Sequence, residues 1–275
     1  MTINRGGFYL LVSACLLGLC AANPVFAKDK SEKAKEPKFV PGKEVRVNTD
    51  SEDISGDHFL IYVPSDYNDD RDWPVVFFYH GASGQPTTEL IRQTTGGKAF
   101  IIVGMGYSEG GEGQLTKGKY LNYLKRERKS VLNVKRYVAE HLKVDQQRLF
   151  IAGFSKGGWH TSAMLECSGK IWAGAVILAA GRGRIVVSIT TPATRKAIKG
   201  KPIYIGAGEK DTNLPSAKRA ATYYERVGAK VTFEQYQGLG HDYDPNVGKL
   251  RDWLFDSAGI VLAESEQPEK ETQAE

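Results

Sequence analysis

Cysteine is scarce in this sequence, which has three in 275 residues, and two of them, Cys15 and Cys20, lie close to the N-terminus. Cys167 is the third, so the remainder of the chain has no pair for an internal disulfide and its stability has to come from a hydrophobic core. Cys167 falls near the end of a predicted helix, with no histidine at a useful spacing. We therefore interpret it as a half-buried structural thiol rather than a nucleophile.

Apolar runs long enough to span a membrane are also lacking. The stretch from Phe8 to Ala22 is too short for a comfortable span; Arg5 precedes it and the small-residue segment 23–27 follows it. This order of basic start, apolar segment and cleavage site predicts a signal peptide over residues 1–27 and export to the periplasm or the medium. A permanent anchor helix and lipidation of Cys15, which ends a loose lipobox, remain alternatives.

Positive charge is in slight excess, with a formal net charge of +5, and much of it lies between Lys28 and Lys43. Six lysines with few aromatic residues are typical of a solvated linker, whereas a nucleic-acid-binding face would interleave aromatic side chains. We therefore predict a flexible linker over 28–43, a folded domain over 44–262 and a disordered polar tail over 263–275, with no nucleic-acid partner.

Strand and helix patterns alternate within the folded region. Buried-type apolar runs at 74–79, 99–105, 148–152, 173–180, 202–206 and 230–237 predict strands, and helical periodicity appears at 129–141, 156–166, 215–227 and 248–258. Two earlier strands, at 45–48 and 58–63, precede the first predicted helix. The pattern predicts an α/β fold with a doubly wound, mainly parallel sheet that is flanked by helices and begins with antiparallel strands.

One short motif carries chemistry: Gly153-Phe154-Ser155-Lys156-Gly157, which lies between a predicted strand and a predicted helix. A motif with three fixed residues is weak evidence on its own. Its position between a strand and a helix is, however, what a nucleophile elbow requires, because the glycines allow a tight turn that exposes the serine at its apex. The competing interpretation is a glycine-rich turn with an N-cap serine. The setting favours Ser155 as a nucleophile.

A serine hydroxyl needs a base, and His241 is the best placed of the five histidines. It stands in a loop after the strand ending near Gln237 and before the last helix, whereas His58, His80, His141 and His160 belong to earlier strands, turns or helices. The ordinary alternative is a surface-loop histidine.

The acid and the oxyanion donors of a hydrolytic site are predicted from their positions relative to the strands. The acid that orients His241 should follow a strand between Ser155 and His241, which selects Asp211, with Glu209 as the substitute. An oxyanion hole needs two backbone N–H groups. One is expected from Lys156 and the other from the glycine-rich turn after the strand 74–79, with Ala82 preferred over its neighbours Gly81 and Ser83.

Together these segments resemble the α/β-hydrolase superfamily, in particular the secreted esterases similar to feruloyl esterases, acetylxylan esterases and polyhydroxybutyrate depolymerases. The matching segments are Ile61-Tyr62-Val63-Pro64, Val76-Phe77-Phe78-Tyr79-His80-Gly81, Gly153-Phe154-Ser155-Lys156-Gly157-Gly158, Gly208-Glu209-Lys210-Asp211 and Gly240-His241. The resemblance implies no cofactor and no metal. The short segment between Ala180 and Lys201, where many relatives insert a lid, suggests a minimal lid and an open site.

The resemblance and the residues together predict a serine hydrolase that cleaves carboxylic esters through an acyl-enzyme, with a small-molecule or polymer-linked ester as its partner. A peptidase, an amidase, an acyltransferase or a catalytically silent binding protein of the same fold remain alternatives. Five side chains are weaker candidates for the cleft: Trp159, Tyr107, Tyr243, Arg182 and Arg184. Each has an ordinary interpretation as a core aromatic, a surface aromatic or a solvated basic turn, and the glycine-rich segment 110–113 is interpreted as a loop beside the cleft.

Overall fold

The structure, a computed structural model, describes residues 37–49, 52–108, 117–183, 186, 190–246 and 248–261. The predicted signal peptide, residues 28–36 of the predicted linker, the loop at 110–113, Arg184 and the predicted tail lie outside the described residues. The chain from residue 37 already contacts the domain: Phe39 packs on the Tyr137 and His141 rings, and the Gly42 N–H donates to the Val63 carbonyl at 2.9 Å.

Eight strands form one sheet. In chain order they are β1 Glu44–Asn48, β2 His58–Tyr62, β3 Trp73–Tyr79, β4 Ile101–Met105, β5 Val144–Phe154, β6 Gly174–Leu178, β7 Pro202–Gly208 and β8 Lys230–Tyr236. Across the sheet their order is β1-β2-β4-β3-β5-β6-β7-β8. The β1–β2 and β2–β4 pairs are antiparallel and every later pair is parallel, as the two early strands predicted.

Six helices are described around this sheet: α1 Glu89–Thr95, α2 Lys117–His141, α3 Lys156–Ser168, α4 Pro192–Ile198, α5 Leu214–Arg226 and α6 Leu250–Ser257. One buried cluster contains residues of α2, α3 and α5 with one set of strand side chains, such as Phe77 and Ile151. A second cluster contains α1 and α6 residues with the alternate set, such as Phe78 and Phe150. Because successive strand residues point to opposite faces, the continuous apolar runs bury both faces of the sheet.

The sequence pattern missed some helices. It contained no helix at α1 or α4, and it began α2 near Lys129, whereas the helix begins at Lys117. The two missed helices have seven residues each, too few for a periodic pattern to stand out. In the first half of α2 the buried stripe of Tyr120, Tyr123 and Leu124 continues through a fully buried carboxylate, Glu127. That polar residue interrupts the apolar period.

Candidate active site

Ser155 occupies a sharp turn between β5 and α3. Its backbone has φ of +54° and ψ of −116°, a region that a non-glycine residue rarely adopts. The Ser155 N–H donates to the Leu178 carbonyl of the neighbouring strand at 2.9 Å, which holds the turn in place. The Ser155 side chain makes no capping hydrogen bond to α3, in contrast to the N-cap interpretation. The turn instead leaves the hydroxyl exposed at the carboxyl edge of the sheet.

The glycines of the motif allow this turn to pack closely. A Cβ atom on Gly157 would lie 2.0 Å from the Tyr79 carbonyl oxygen, and one on Gly153 would lie 2.2 Å from the Gly157 carbonyl oxygen. No side chain of any size fits at such distances, so the helix can approach the strands only where hydrogen replaces the Cβ atom.

One chain of hydrogen bonds links the side chains of Ser155, His241 and Asp211. The His241 Nε2 atom lies 2.7 Å from the Ser155 Oγ atom, and its Nδ1 atom lies 3.0 Å from both carboxylate oxygens of Asp211. The Asp211 side chain is fully buried, whereas 43% of the His241 side chain is exposed. A buried acceptor on Nδ1 fixes the ring orientation and leaves Nε2 toward the hydroxyl.

Two loops hold this pair together. Lys210 donates its N–H to the Leu239 carbonyl at 2.8 Å, and Glu209 accepts the Gly238 N–H at 3.0 Å. The substitute acid Glu209 therefore fastens the histidine loop and does not contact the imidazole. Asp211 also accepts the Asn213 N–H at 2.8 Å, which helps to fix the orientation of its carboxylate.

The two predicted oxyanion donors belong to segments next to Ser155. Lys156 is the first residue of α3, so its N–H has no acceptor inside the helix. The turn after β3 passes Ser155 closely, because a Cβ atom on Gly81 would lie 3.6 Å from the Ser155 Cβ atom. Ala82 follows Gly81 and is exposed, and its N–H makes no backbone hydrogen bond to a described residue.

Tyr107 packs against the turn that follows β3 and stabilises it. Its hydroxyl donates to the His80 carbonyl, its ring packs edge-on against the His80 ring, and the Lys156 ammonium lies 4.2 Å from its ring centroid. His80 in turn has its Nδ1 atom 2.7 Å from the Gly81 carbonyl, and burial lowers its pKa. Tyr107 therefore lies next to the turn from which the second oxyanion donor is predicted.

A buried polar cluster lies behind Tyr107, where sequence reasoning expected none. His160 on α3 is fully buried against the Tyr79 and Tyr107 rings, and burial, followed by the Lys156 charge, lowers its pKa to about 3. Its Nε2 atom lies 3.6 Å from a Glu127 oxygen, too far for a hydrogen bond.

Glu127 is the second titratable residue of that cluster. Its Oε1 atom accepts hydrogen bonds from the Ser55 hydroxyl at 2.8 Å and the Ser108 N–H at 2.9 Å, and burial raises its pKa. Glu127 thereby fixes the segment that carries Tyr107. Only its place in the apolar stripe of α2 could have signalled it from sequence.

The other candidates occupy ordinary positions. His58 pairs with Asp57, His141 bonds its own helix at the Tyr137 carbonyl, and Tyr243 packs on Tyr236 with its pKa raised to about 12 by burial. Burial raises the pKa of the half-buried Cys167 thiol to about 11.

Trp159 and Arg182 both line a cleft of about 650 Å³ next to α3. Trp159 is half-buried and also packs on the core. Arg182 is largely buried and forms a two-pronged contact with Glu166, at 2.5 and 3.0 Å, so it is not the solvated basic turn that the sequence suggested.

Comparison with known proteins agrees with this geometry. Residues 124–252 match a family model described as Phospholipase/Carboxylesterase. The chain has the α/β-hydrolase fold. No curated protein matches its sequence significantly.

Three solved structures show how far the likeness extends. This chain aligns with FphF, a fluorophosphonate-binding serine hydrolase of Staphylococcus aureus, at 19% identity and a TM-score of 0.57 over 80% of this chain and 99% of that one. A ferulic acid esterase aligns at 15% identity and 0.60, over 81% and 100%. A thermostable esterase aligns at 18% and 0.57 over 78% of this chain, which spans only 60% of that protein.

The family model that matches residues 124–252 describes phospholipases and carboxylesterases, and the aligned structures share the fold of this chain. Within the part of the chain that the structure describes, no three histidine, cysteine or acidic side chains are grouped so as to hold a metal ion. None of the described helices combines the length and apolarity needed to cross a membrane.

Proposed function

We propose that Ser155, His241 and Asp211 form the catalytic triad of a hydrolase that cleaves carboxylic esters through an acyl-enzyme. The continuous hydrogen-bonded chain from the Ser155 hydroxyl to the buried Asp211 carboxylate carries the proposal. The strained backbone at Ser155 supports it, since strain of this kind gathers at functional sites.

In the first half of the reaction His241 Nε2 takes the hydroxyl proton while Ser155 Oγ attacks the acyl carbon of the ester. The carbonyl oxygen becomes an oxyanion, which the Lys156 and Ala82 N–H groups stabilise. The carbon–oxygen bond to the alcohol then breaks, and the imidazolium returns its proton to the departing alcohol. Asp211 stabilises the positive imidazole throughout this half-reaction.

In the second half a water molecule replaces the alcohol. His241 removes a proton from the water as its oxygen attacks the acyl carbon of the Ser155 ester. When the intermediate collapses, Ser155 Oγ leaves with the proton from His241, and the carboxylic acid is released. The exposure of the His241 side chain allows water to reach this position.

The substrate that we propose is an ester on a carbohydrate or another polymer. The exposure of the His241 side chain favours a chain-like substrate that does not have to enter a closed pocket. The ferulic acid esterase among the fold neighbours is consistent with this class. Export through the signal segment 1–27 would bring the enzyme to such substrates.

Labelling with a fluorophosphonate probe tests the nucleophile. We expect the wild-type enzyme to react at Ser155 and the Ser155→Ala variant to remain unlabelled, because the alanine has no oxygen to phosphonylate. Turnover of acetylated sugars, aryl esters and hydroxyalkanoate esters should be lost in the same variant.

Ser162 provides a matched control. It lies on the same helix and is buried, and its hydroxyl donates to the Gly181 carbonyl at 2.7 Å, away from His241. Ser162→Ala should label like the wild type. Equal labelling of wild type and Ser155→Ala, or labelling of neither, would refute the assignment.

A further inference from the structure

Two adjoining clefts run along α5 beside the proposed triad. The first is the cleft of about 650 Å³ at Trp159 and Arg182, and the second has a volume of about 450 Å³. Tyr223 lines both, so the clefts meet there. We call them together the basic groove, because six cationic side chains line them: Arg182, Arg195, Lys196, Lys199, Arg219 and Arg226.

Most of the positive charge of the basic groove has no acidic partner among the described residues. Among the described residues, no carboxylate lines either cleft. Residues 181–230 contain eleven lysines and arginines against three acidic residues, and two of these, Glu209 and Asp211, are engaged in the loops at His241. Glu166 neutralises Arg182 from behind. The other five cations form no ion pair with a described residue, so the basic groove presents a positive field to solvent.

One end of the basic groove, at Trp159, lies one helical turn from Ser155. The Trp159 N–H donates to the Ser155 carbonyl at 3.1 Å. Ser216, which lines the same end, follows Asp211 closely in sequence. From Ser216 to Arg226 the helix extends about 15 Å, so the basic groove suits an elongated ligand better than a single small anion.

The geometry points to an anionic carbohydrate polymer, a chain bearing carboxylate groups, that lies in the basic groove and brings its ester to Ser155. This inference rests on the proposed function and narrows its substrate class. Arginine and lysine side chains bind carboxylates well, and the flat Trp159 ring at the Ser155 end offers a surface on which a sugar ring packs.

Two other anionic partners fit less well. Single-stranded nucleic acid binds by stacking its bases on free aromatic rings, but the Arg182 guanidinium already lies 3.7 Å from the Tyr223 ring centroid and that of Arg226 lies at 5.7 Å. A membrane surface calls for exposed apolar side chains. The large exposed ones among the described residues are Val40, Leu132 and Val261, and none lines the basic groove.

Binding of fluorescent polygalacturonate to the Ser155→Ala protein tests the inference without turnover. The groove variant adds Arg195→Gln, Lys196→Gln and Lys199→Gln, three exposed substitutions on and just after α4. We expect its Kd at low salt to rise about tenfold, because each lost charge weakens an attraction that salt screens. The control variant adds Lys125→Gln, Arg128→Gln and Lys135→Gln on α2, with an equal charge change, and should stay within about twofold.

A kinetic measurement uses the wild type and the same groove and control substitutions in enzymes that keep Ser155. The quantity compared is the ratio of KM for acetylated neutral galactan to KM for acetylated polygalacturonate. We expect this ratio to exceed about five in the wild type, and to fall toward one in the groove variant and at high salt. The control variant should keep the wild-type ratio.

Three results would overturn the inference: equal Kd values for the groove and control variants, a KM ratio near one in the wild type, or tighter binding of single-stranded DNA or of phosphatidylserine vesicles through the same three cations. Failure of the proposed function looks different. If polygalacturonate binds the Ser155→Ala protein through the basic groove but the wild type cleaves no ester, polymer binding by the groove is supported and the esterase assignment is refuted.

Discussion

At the scale of single residues, the two acidic residues near His241, Asp211 and Glu209, have different roles. Asp211 is buried and touches the imidazole through both oxygens, while Glu209 accepts the Gly238 N–H and fastens the loop. They stand two positions apart in the sequence, so chain position cannot separate them. Only the directions of the side chains at the end of β7 assign the orienting role to Asp211.

Replacing Asp211 by asparagine tests that assignment. We expect kcat for an aryl ester to fall by about 10⁴, because an amide that donates to Nδ1 favours the wrong imidazole tautomer and stabilises no positive charge. Glu209→Gln is the matched control, since its amide oxygen still accepts the Gly238 N–H, and kcat should stay within about threefold. A comparable loss in both variants would contradict this division of roles between the two acids.

At the scale of elements, the turn between β5 and α3 requires glycine, because a Cβ atom would not fit there. Glycine at 157 lets the first turn of α3 lie against the end of β3, and the same contact presents Ser155. Elsewhere a helix gains stability when alanine replaces glycine, whereas at this position the added methyl group would lie 2.0 Å from the Tyr79 carbonyl oxygen, far inside van der Waals contact.

Gly157→Ala is therefore expected to lower the free energy of unfolding by about 3 kcal/mol and to abolish fluorophosphonate labelling, because α3 has to move away from Tyr79. Urea denaturation followed by circular dichroism measures the first effect. Gly118→Ala on α2, where a Cβ atom meets nothing within 4 Å, should be neutral or stabilise by up to about 1 kcal/mol. Equal stability of the two variants would argue against the close approach.

At the scale of the whole molecule, stability should depend on pH through the buried His160. Burial holds its folded-state pKa at about 3, against an ordinary value of 6.5. The unfolded chain therefore binds a proton between these values that the folded chain does not. Stability falls as the pH drops from about 6.5 toward 3, by up to about 1.4 kcal/mol per pH unit.

Glu127 acts in the opposite sense, because its raised pKa favours proton uptake in the folded state from about pH 4.5 upward. The contribution of His160 is isolated by comparing wild type with His160→Asn, which removes one titrating group. We expect a shallower loss of unfolding free energy between pH 6 and 4.5 in the variant, measured by urea denaturation at each pH. Parallel curves would mean that His160 is protonated in the folded protein.

Much of the fold followed from the sequence because its strands are buried on both faces, and buried parallel strands appear as continuous apolar runs. Short helices such as α1 and α4 did not follow, since seven residues carry too little periodicity. At the site, chain order selected Ser155, Asp211 and His241. The polar cluster of Glu127 and His160 stayed hidden, because a buried carboxylate and an exposed one look alike in a sequence.

The amino-acid sequence was sufficient for the α/β alternation, the elbow and the order of its candidate triad, because local propensity and strand–helix spacing act along the chain. The rest required the tertiary structure: which acid reaches His241, what surrounds Arg182, and that the cations of α4 and α5 form one groove. Those properties depend on distances between segments far apart in the sequence, and packing of the sheet and helices sets those distances.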